Sequence, residues 1–299
     1  MPTNKRKQQS VIFGYLKRST THSEMCLKHR VAIWCHSRKS RGRRRTFLKT
    51  VSRYQVDMMD FCQMLAIFLF CLMSICSAKD WNYFTFAQQW PIAVCAEHKS
   101  CFIPDSVVGW GIHGLWPSSD TESKGPENCN GSWPFDINNV MPLVPELKKY
   151  WPNLYPDTKA NSFWEHEWSK HGTCATSLPA TSNELKYFGM GLKLHAKYNI
   201  SRILVNQGIL PSKTAGYMIN ETEAAVKREL GVDAVIECVY DKEKTKKQLL
   251  YEISICLTKE FELISCNKKE VSETTCPRKE PFFYPPVHDD FPQIDISVI

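Results

Sequence analysis

SFWEHEWSKHGTC, residues 162–174, brings together two histidines, two glutamates, a lysine and two tryptophans in one short run. Ser162 with Glu165 three residues on has the form of a capping box, and Gly172 that of a residue just past a helix C-terminus. The spacing therefore predicts a helix over Phe163–His171. About two and a half turns are too few to stand alone in water, so Phe163, Trp164 and Trp168 are expected to anchor it. At about 100° per residue, His166 and Lys170 form one row and Glu167 and His171 a second, and His166 and His171 diverge by about 140°. All four polar side chains can still look into one cavity.

Three readings compete for this helix. HEWSKH is one residue too long for the zinc pattern His-Glu-x-x-His, in which histidines four apart reach one ion; histidines five apart on an α-helix do not. A solvated face is the bland reading, because a Glu–His pair at i, i+4 contributes only a few tenths of a kcal/mol. Yet His166 and Lys170 repel when the histidine is protonated, and two flanking tryptophans do not suit an open surface. Two positive groups on one row suit an anion between them, and this third reading is preferred.

GWGIHGLWPSS, residues 109–119, supplies a further histidine. A strand around Val107–Ile112 is expected to end at His113, Gly114 lets the backbone turn freely, and Trp116-Pro117 forms a rigid aromatic wall. A histidine after a strand is more often structural than catalytic, but its neighbours here make His113 a candidate.

Composition sets the compartment. The chain has 299 residues, 43% of them apolar, enough for a real core. Residues 1–57 carry net charge +13 against +7 for the whole, so the remainder is net −6: a basic arm precedes a mildly acidic body. The apolar run Met64–Met73 has the length of a signal-peptide core, with a cut expected near Ala78. The arm, 1–57, is read as an upstream extension outside the folded protein. A signal anchor that leaves it in the cytosol is the other reading, and a twin-arginine signal at RRTFLK is discounted in so arginine-rich a stretch. Eight of the 13 cysteines follow the cut: Cys95, Cys101, Cys129, Cys174, Cys238, Cys256, Cys266 and Cys276. An even number after a leader points to four disulfides in an exported protein, and sequons at Asn130, Asn199 and Asn220 agree with that route.

The order of elements gives the fold class. Strands are expected over 83–90, 234–240 and 251–257, with 261–266 as a hairpin partner to the last. In YEISICL, Tyr251, Ile253, Ile255 and Leu257 should face one way and Glu252 and Ser254 the other. Helices are expected over 137–150, 182–197 and 221–231, the last opened by Asn220 and closed by Gly231. Strands early and late with helices between indicate an α+β domain over residues 79–299. Its Pro-rich tail, PFFYPPVHDDFPQ, is expected to lie extended on the surface.

IHGLWP and FWEHEWSKHGTC together resemble the two active-site segments of the ribonuclease T2 family, secreted acid endoribonucleases that include the S-ribonucleases of plants. The resemblance extends over roughly 83–286 and takes in SWPFD, YWPNL, KYFG and ICLTKE. It implies an antiparallel sheet covered by helices and the disulfides Cys95–Cys101, Cys129–Cys174, Cys238–Cys276 and Cys256–Cys266. It implies a single-stranded RNA substrate cleaved through its own 2′-OH to 2′,3′-cyclic phosphates and then 3′-phosphates, with neither metal nor cofactor. His171 would be the base and His113 the acid, Lys170 and Glu167 would stabilise the transition state, and His166 would hold phosphate. Trp116 would stack a base and Gln89 contact another. A monomer, secreted or lysosomal, active at acid pH is expected. The competing reading is a catalytically silent glycoprotein of the same fold that binds RNA or a protein.

Overall fold

The computed structural model describes residues 81–121 and 125–288. The basic arm, 1–57, and the leader, 58–78, lie outside the described residues, as does the tail beyond 288.

The sheet is built on strand β1 (Tyr83–Gln89), whose alternation buries Phe84 and Phe86 completely and turns Tyr83 and Thr85 to the opposite face. β1 pairs antiparallel with β2 (Gly111–Ser118) on one side and with β5 (Gln248–Leu257) on the other. β5 also pairs antiparallel with β4 (Val235–Tyr240) and with the short β6 (Leu263–Ile264), the expected hairpin partner. Two outer strands, β3 (Gly216–Tyr217) and β7 (Phe282–Phe283), pair with each other, and β7 meets β5 in parallel at Leu249 and Phe283. The alternation read in β5 holds: Ile253, Ile255 and Leu257 are fully buried, while Glu252 and Ser254 line a cavity on the other face.

Helices cover the apolar face, so the domain is α+β as expected. α1 (Pro91–Glu97) opens on a proline, which suits a first helical turn. The helix expected over 137–150 is divided: Ile137–Leu143, which contains Pro142, is a 3₁₀ segment, and α2 (Val144–Tyr150) begins beside Pro145. α3 (Ser162–Glu167) and α4 (Thr173–Ala175) flank a π-helical turn, Trp168–Gly172. α5 (Glu184–Lys197) starts where the Asn183 side chain accepts the Lys186 N–H, two residues later than expected. α6 (Ile200–Asn206) is capped in the same way by Asn199. α7 (Ile219–Leu230) starts at Ile219, with Met218 rather than Asn220 before it, and ends as expected at Gly231, in the left-handed region at φ 77°. α8 (Lys268–Ser272) is short. Among the described residues no helix is long and apolar enough to cross a membrane.

Trp90, Trp151, Trp168, Tyr187 and Phe188 are fully buried within the core that these layers enclose. The four disulfides join Cys95–Cys101, Cys129–Cys174, Cys238–Cys276 and Cys256–Cys266. The tail departs from its expected surface course. Phe282 and Tyr284 are buried, the Tyr284 hydroxyl accepts the Trp110 indole N–H at 2.8 Å, and the Tyr284 carbonyl accepts the Ser212 N–H. Its prolines read as surface signals, but its aromatic residues close the core.

Candidate active site

β2 runs through the histidine motif instead of ending before it. Gly114 lies opposite Ala87 and Ile112 opposite Gln88, so His113 is the extra residue of a β-bulge. A bulge bends the strand and re-aims a side chain. Two buried groups fix the bulge: the Trp151 indole N–H donates to the His113 carbonyl at 3.0 Å, and the Tyr187 hydroxyl donates to the Leu115 carbonyl at 2.8 Å. Gly114 serves close approach here. A Cβ at that position would overlap Trp116 Nε1 and Glu167 Oε2, the two atoms that join the strand to the helix by a 2.8 Å hydrogen bond.

The helical segment corrects the sequence reading at both ends. Ser162 is the first helical residue, not the cap, and its hydroxyl accepts from Asn153. Gly172 is right-handed (φ −58°), and the chain continues through the π-turn to Ala175. A Cβ on Gly172 would overlap the Trp168 ring, so the glycine admits the indole rather than ending the helix. Trp164 and Trp168 are the anchors, donating to the Trp151 and Trp133 carbonyls; Phe163 instead faces His113, its ring centroid 6.0 Å away. The π-turn begins two residues after His166 and contains His171, and the two rings lie 6.5 Å apart. The rings are therefore neighbours, although an α-helix would set them about 140° apart. Among the described residues no group of three His, Cys, Asp or Glu could hold a metal ion.

His113, Trp116, His166, Glu167, Lys170 and His171 all line one cavity of about 550 Å³. Trp116 neighbours both candidate catalytic rings, 4.9 Å from His113 edge-on and 5.4 Å from His171. Glu167 is 1% exposed beneath them, and the more open His166 stands 4.0 Å from it. Lys170 pairs with Glu127 at 3.5 Å, and its carbonyl accepts the Asn128 N–H beside the Cys129–Cys174 bridge. Gln89 lies directly opposite the cavity residue Glu252 in the pairing of β1 with β5. It is buried in β1 and does not line the cavity.

The sequence model of the Ribonuclease T2 family matches residues 81–266. The chain belongs to the ribonuclease T2 family. Ribonuclease T2 of Sus scrofa is 36% identical over 211 residues, covering 69% of this chain and 98% of the relative. Among solved structures, human RNase T2 superposes with a TM-score of 0.54 at 33% identity, over 69% of this chain and 99% of that one. RNase NT in complex with 5′-AMP gives 0.60 at 29%, with the same shares. The chain is thus a T2-type ribonuclease, an endoribonuclease whose substrate is RNA.

Within this ribonuclease T2 site the two histidines are tuned apart. Burial pulls the His113 pKa down, but the charge and hydrogen bond of Glu252, with the charge of Glu167, outweigh it and leave the ring easier to protonate than usual. Burial, then the positive charges of Lys170, His166 and His113, drives the His171 pKa down to about 2. His166 is lowered by burial and by Lys170. Burial raises Glu167 to about 7, against the opposing pull of His113 and the Trp116 N–H.

Sequence reasoning missed the far wall. Glu237 of β4 and Glu252 of β5 face each other across the strands and line the same cavity. The available signal was a glutamate on the face opposite Ile253 and Ile255, which marks a polar face without saying what covers it.

Proposed function

We propose that this ribonuclease cleaves single-stranded RNA by transesterification, without a metal ion, and works best at acid pH. His171, neutral well below pH 6, takes the proton from the 2′-OH. The 2′-oxygen forms a bond to phosphorus, the bond from phosphorus to the 5′-oxygen breaks, and His113, as imidazolium, gives its proton to that leaving oxygen. The product is a 2′,3′-cyclic phosphate. Water, activated in the reverse direction, opens it to a 3′-phosphate. Lys170 and Glu167 stabilise the phosphorane and His166 holds a neighbouring phosphate.

The observation that carries this reading is that both imidazoles line one cavity and neighbour the same Trp116 ring, with opposite pKa directions. A base that stays unprotonated in acid and an acid that stays protonated toward neutrality are what the reaction needs. Trp116 fixes Glu167 and contacts both rings; this geometry lends base stacking by Trp116 no separate support.

Residence in the secretory route, outside the cell or in lysosomes, as a monomer, completes the proposal. All eight cysteines of the described body are paired, which suits an oxidising compartment. Asn130 and Asn220 are exposed for glycan attachment and Asn199 is half-buried. The test is product analysis on a defined RNA across pH 4–8, with and without chelator. Cyclic phosphate products that peak below pH 7 and survive chelation are expected. Full loss in chelator overturns metal independence, and binding without cleavage leaves the silent reading.

A further inference from the structure

We propose that Glu252 is a positioning residue for His113: its carboxylate holds the Nδ1–H, aims Nε2 at the leaving oxygen and keeps the imidazolium charged. The proposal rests on the reading of His113 as the acid.

Glu252 Oε2 lies 2.5 Å from His113 Nδ1. Its second oxygen, Oε1, accepts the Ser254 hydroxyl at 3.0 Å, which leaves the carboxylate little freedom to rotate. The pair is shielded, with the side chain of Glu252 8% exposed and that of His113 28%. With Nδ1 occupied, Nε2 is the nitrogen left to exchange a proton. The backbone is shaped for the contact from both sides. His113 is the bulged residue of β2, and in β5 Tyr251 is skipped between Glu252, opposite Glu237, and Leu250, opposite Cys238. Two bulges thus adjoin one ion pair.

Other charged groups surround the ring. Glu237 faces it from β4, and Glu167, Lys170, His166 and His171 from the helical segment. Only Glu252 is hydrogen-bonded to it among the described residues. The raised His113 pKa agrees with that contact outweighing burial.

Glu252→Gln keeps an acceptor for Nδ1–H and removes the charge; Glu252→Ala removes both. Profiles of kcat/KM against pH on a dinucleotide, with NMR titration of the His113 ring, read the difference. In wild type the rate should fall on the alkaline side as His113 deprotonates. In Glu252→Gln that limb and the ring titration should both move down by about one pH unit, with the acid-side rate within about threefold. Glu252→Ala should lose about 10–100-fold at every pH. Limb and ring titration left at the wild-type positions in Glu252→Gln overturn the proposal. So does an equal shift in Glu237→Gln, a nearby carboxylate without the hydrogen bond. A wild type that cleaves no RNA at any pH removes the acid role itself, and the ring titration then decides separately whether Glu252 holds the proton.

Discussion

The Trp116 indole N–H donates to Glu167 Oε2 at 2.8 Å, joining the strand that carries His113 to the helix that carries His171. Glu167 is nearly inaccessible to water, so this is a fixed link between the two halves of the site. Losing the donor leaves a buried carboxyl short of a partner, which costs about 1–3 kcal/mol. Trp116→Phe should therefore lower kcat about 10–100-fold. Gly114→Ala should do the same, because a Cβ there occupies the place of this hydrogen bond. Steady-state kinetics with thermal melts check both. Unchanged kcat in a folded Trp116→Phe would remove the link from the account.

Carboxylates around the cavity make RNA binding depend on pH. Burial raises the pKa of Glu237 and of Glu270, and each also lies near other carboxylates. Both are neutral below their raised pKa values and become anions as pH rises, facing a polyanionic substrate. KM for RNA should therefore increase as pH rises through these raised pKa values, by about threefold to tenfold. The double variant Glu237→Gln, Glu270→Gln should flatten that rise. A KM independent of pH in wild type would contradict the prediction.

Catalytic tuning carries a stability cost in acid. An unfolded histidine titrates near 6.5, while folded His171 is held down to about 2. Between those values the unfolded chain binds a proton that the folded one does not, so stability falls as pH drops through that window. At pH 5 the loss is about 2 kcal/mol. His195 acts in the same direction: it is buried, its Nε2 donates to the Trp110 carbonyl at 2.9 Å, and burial lowers its pKa. Glu167 opposes them, since a carboxyl raised to about 7 stabilises the fold as pH drops below that value. His171→Ala should lose less stability than wild type between pH 7.5 and 5, by about 2 kcal/mol, seen as a smaller drop in Tm. An identical pH slope in both proteins would show that His171 is not held neutral.

How much of this was legible depended on whether the deciding residues were adjacent in the chain. The α+β class followed from element order. The polar side chains His113, His166, Glu167, Lys170 and His171 sit in two short runs and are legible in the sequence. What failed depended on packing between distant residues. At the π-turn Gly172 leaves room for the Trp168 ring, and the His166 and His171 rings lie closer than the spacing on an α-helix suggested. His113 became a bulge residue because Gly114 and Ile112 on either side of it pair with Ala87 and Gln88, some 25 positions earlier. Glu252 is 139 residues from the histidine it holds, and no local pattern joins them. The tail was misread because Pro-rich composition hid buried Phe282 and Tyr284. Gln89 was named from its motif; it is buried in β1 directly opposite Glu252, a pairing no local pattern shows.

The central claim, that His171 removes a proton and His113 supplies one across the same phosphate, is tested most directly by changing the leaving group. Wild type, His113→Ala and His171→Ala are assayed on a dinucleotide and on a nucleoside 3′-(4-nitrophenyl phosphate), whose leaving group needs no proton. On the dinucleotide each variant should lose about 10²–10⁴-fold. On the activated ester His113→Ala should recover most of its rate, while His171→Ala stays impaired. Equal recovery of both variants, or recovery of His171→Ala alone, would contradict the assignment.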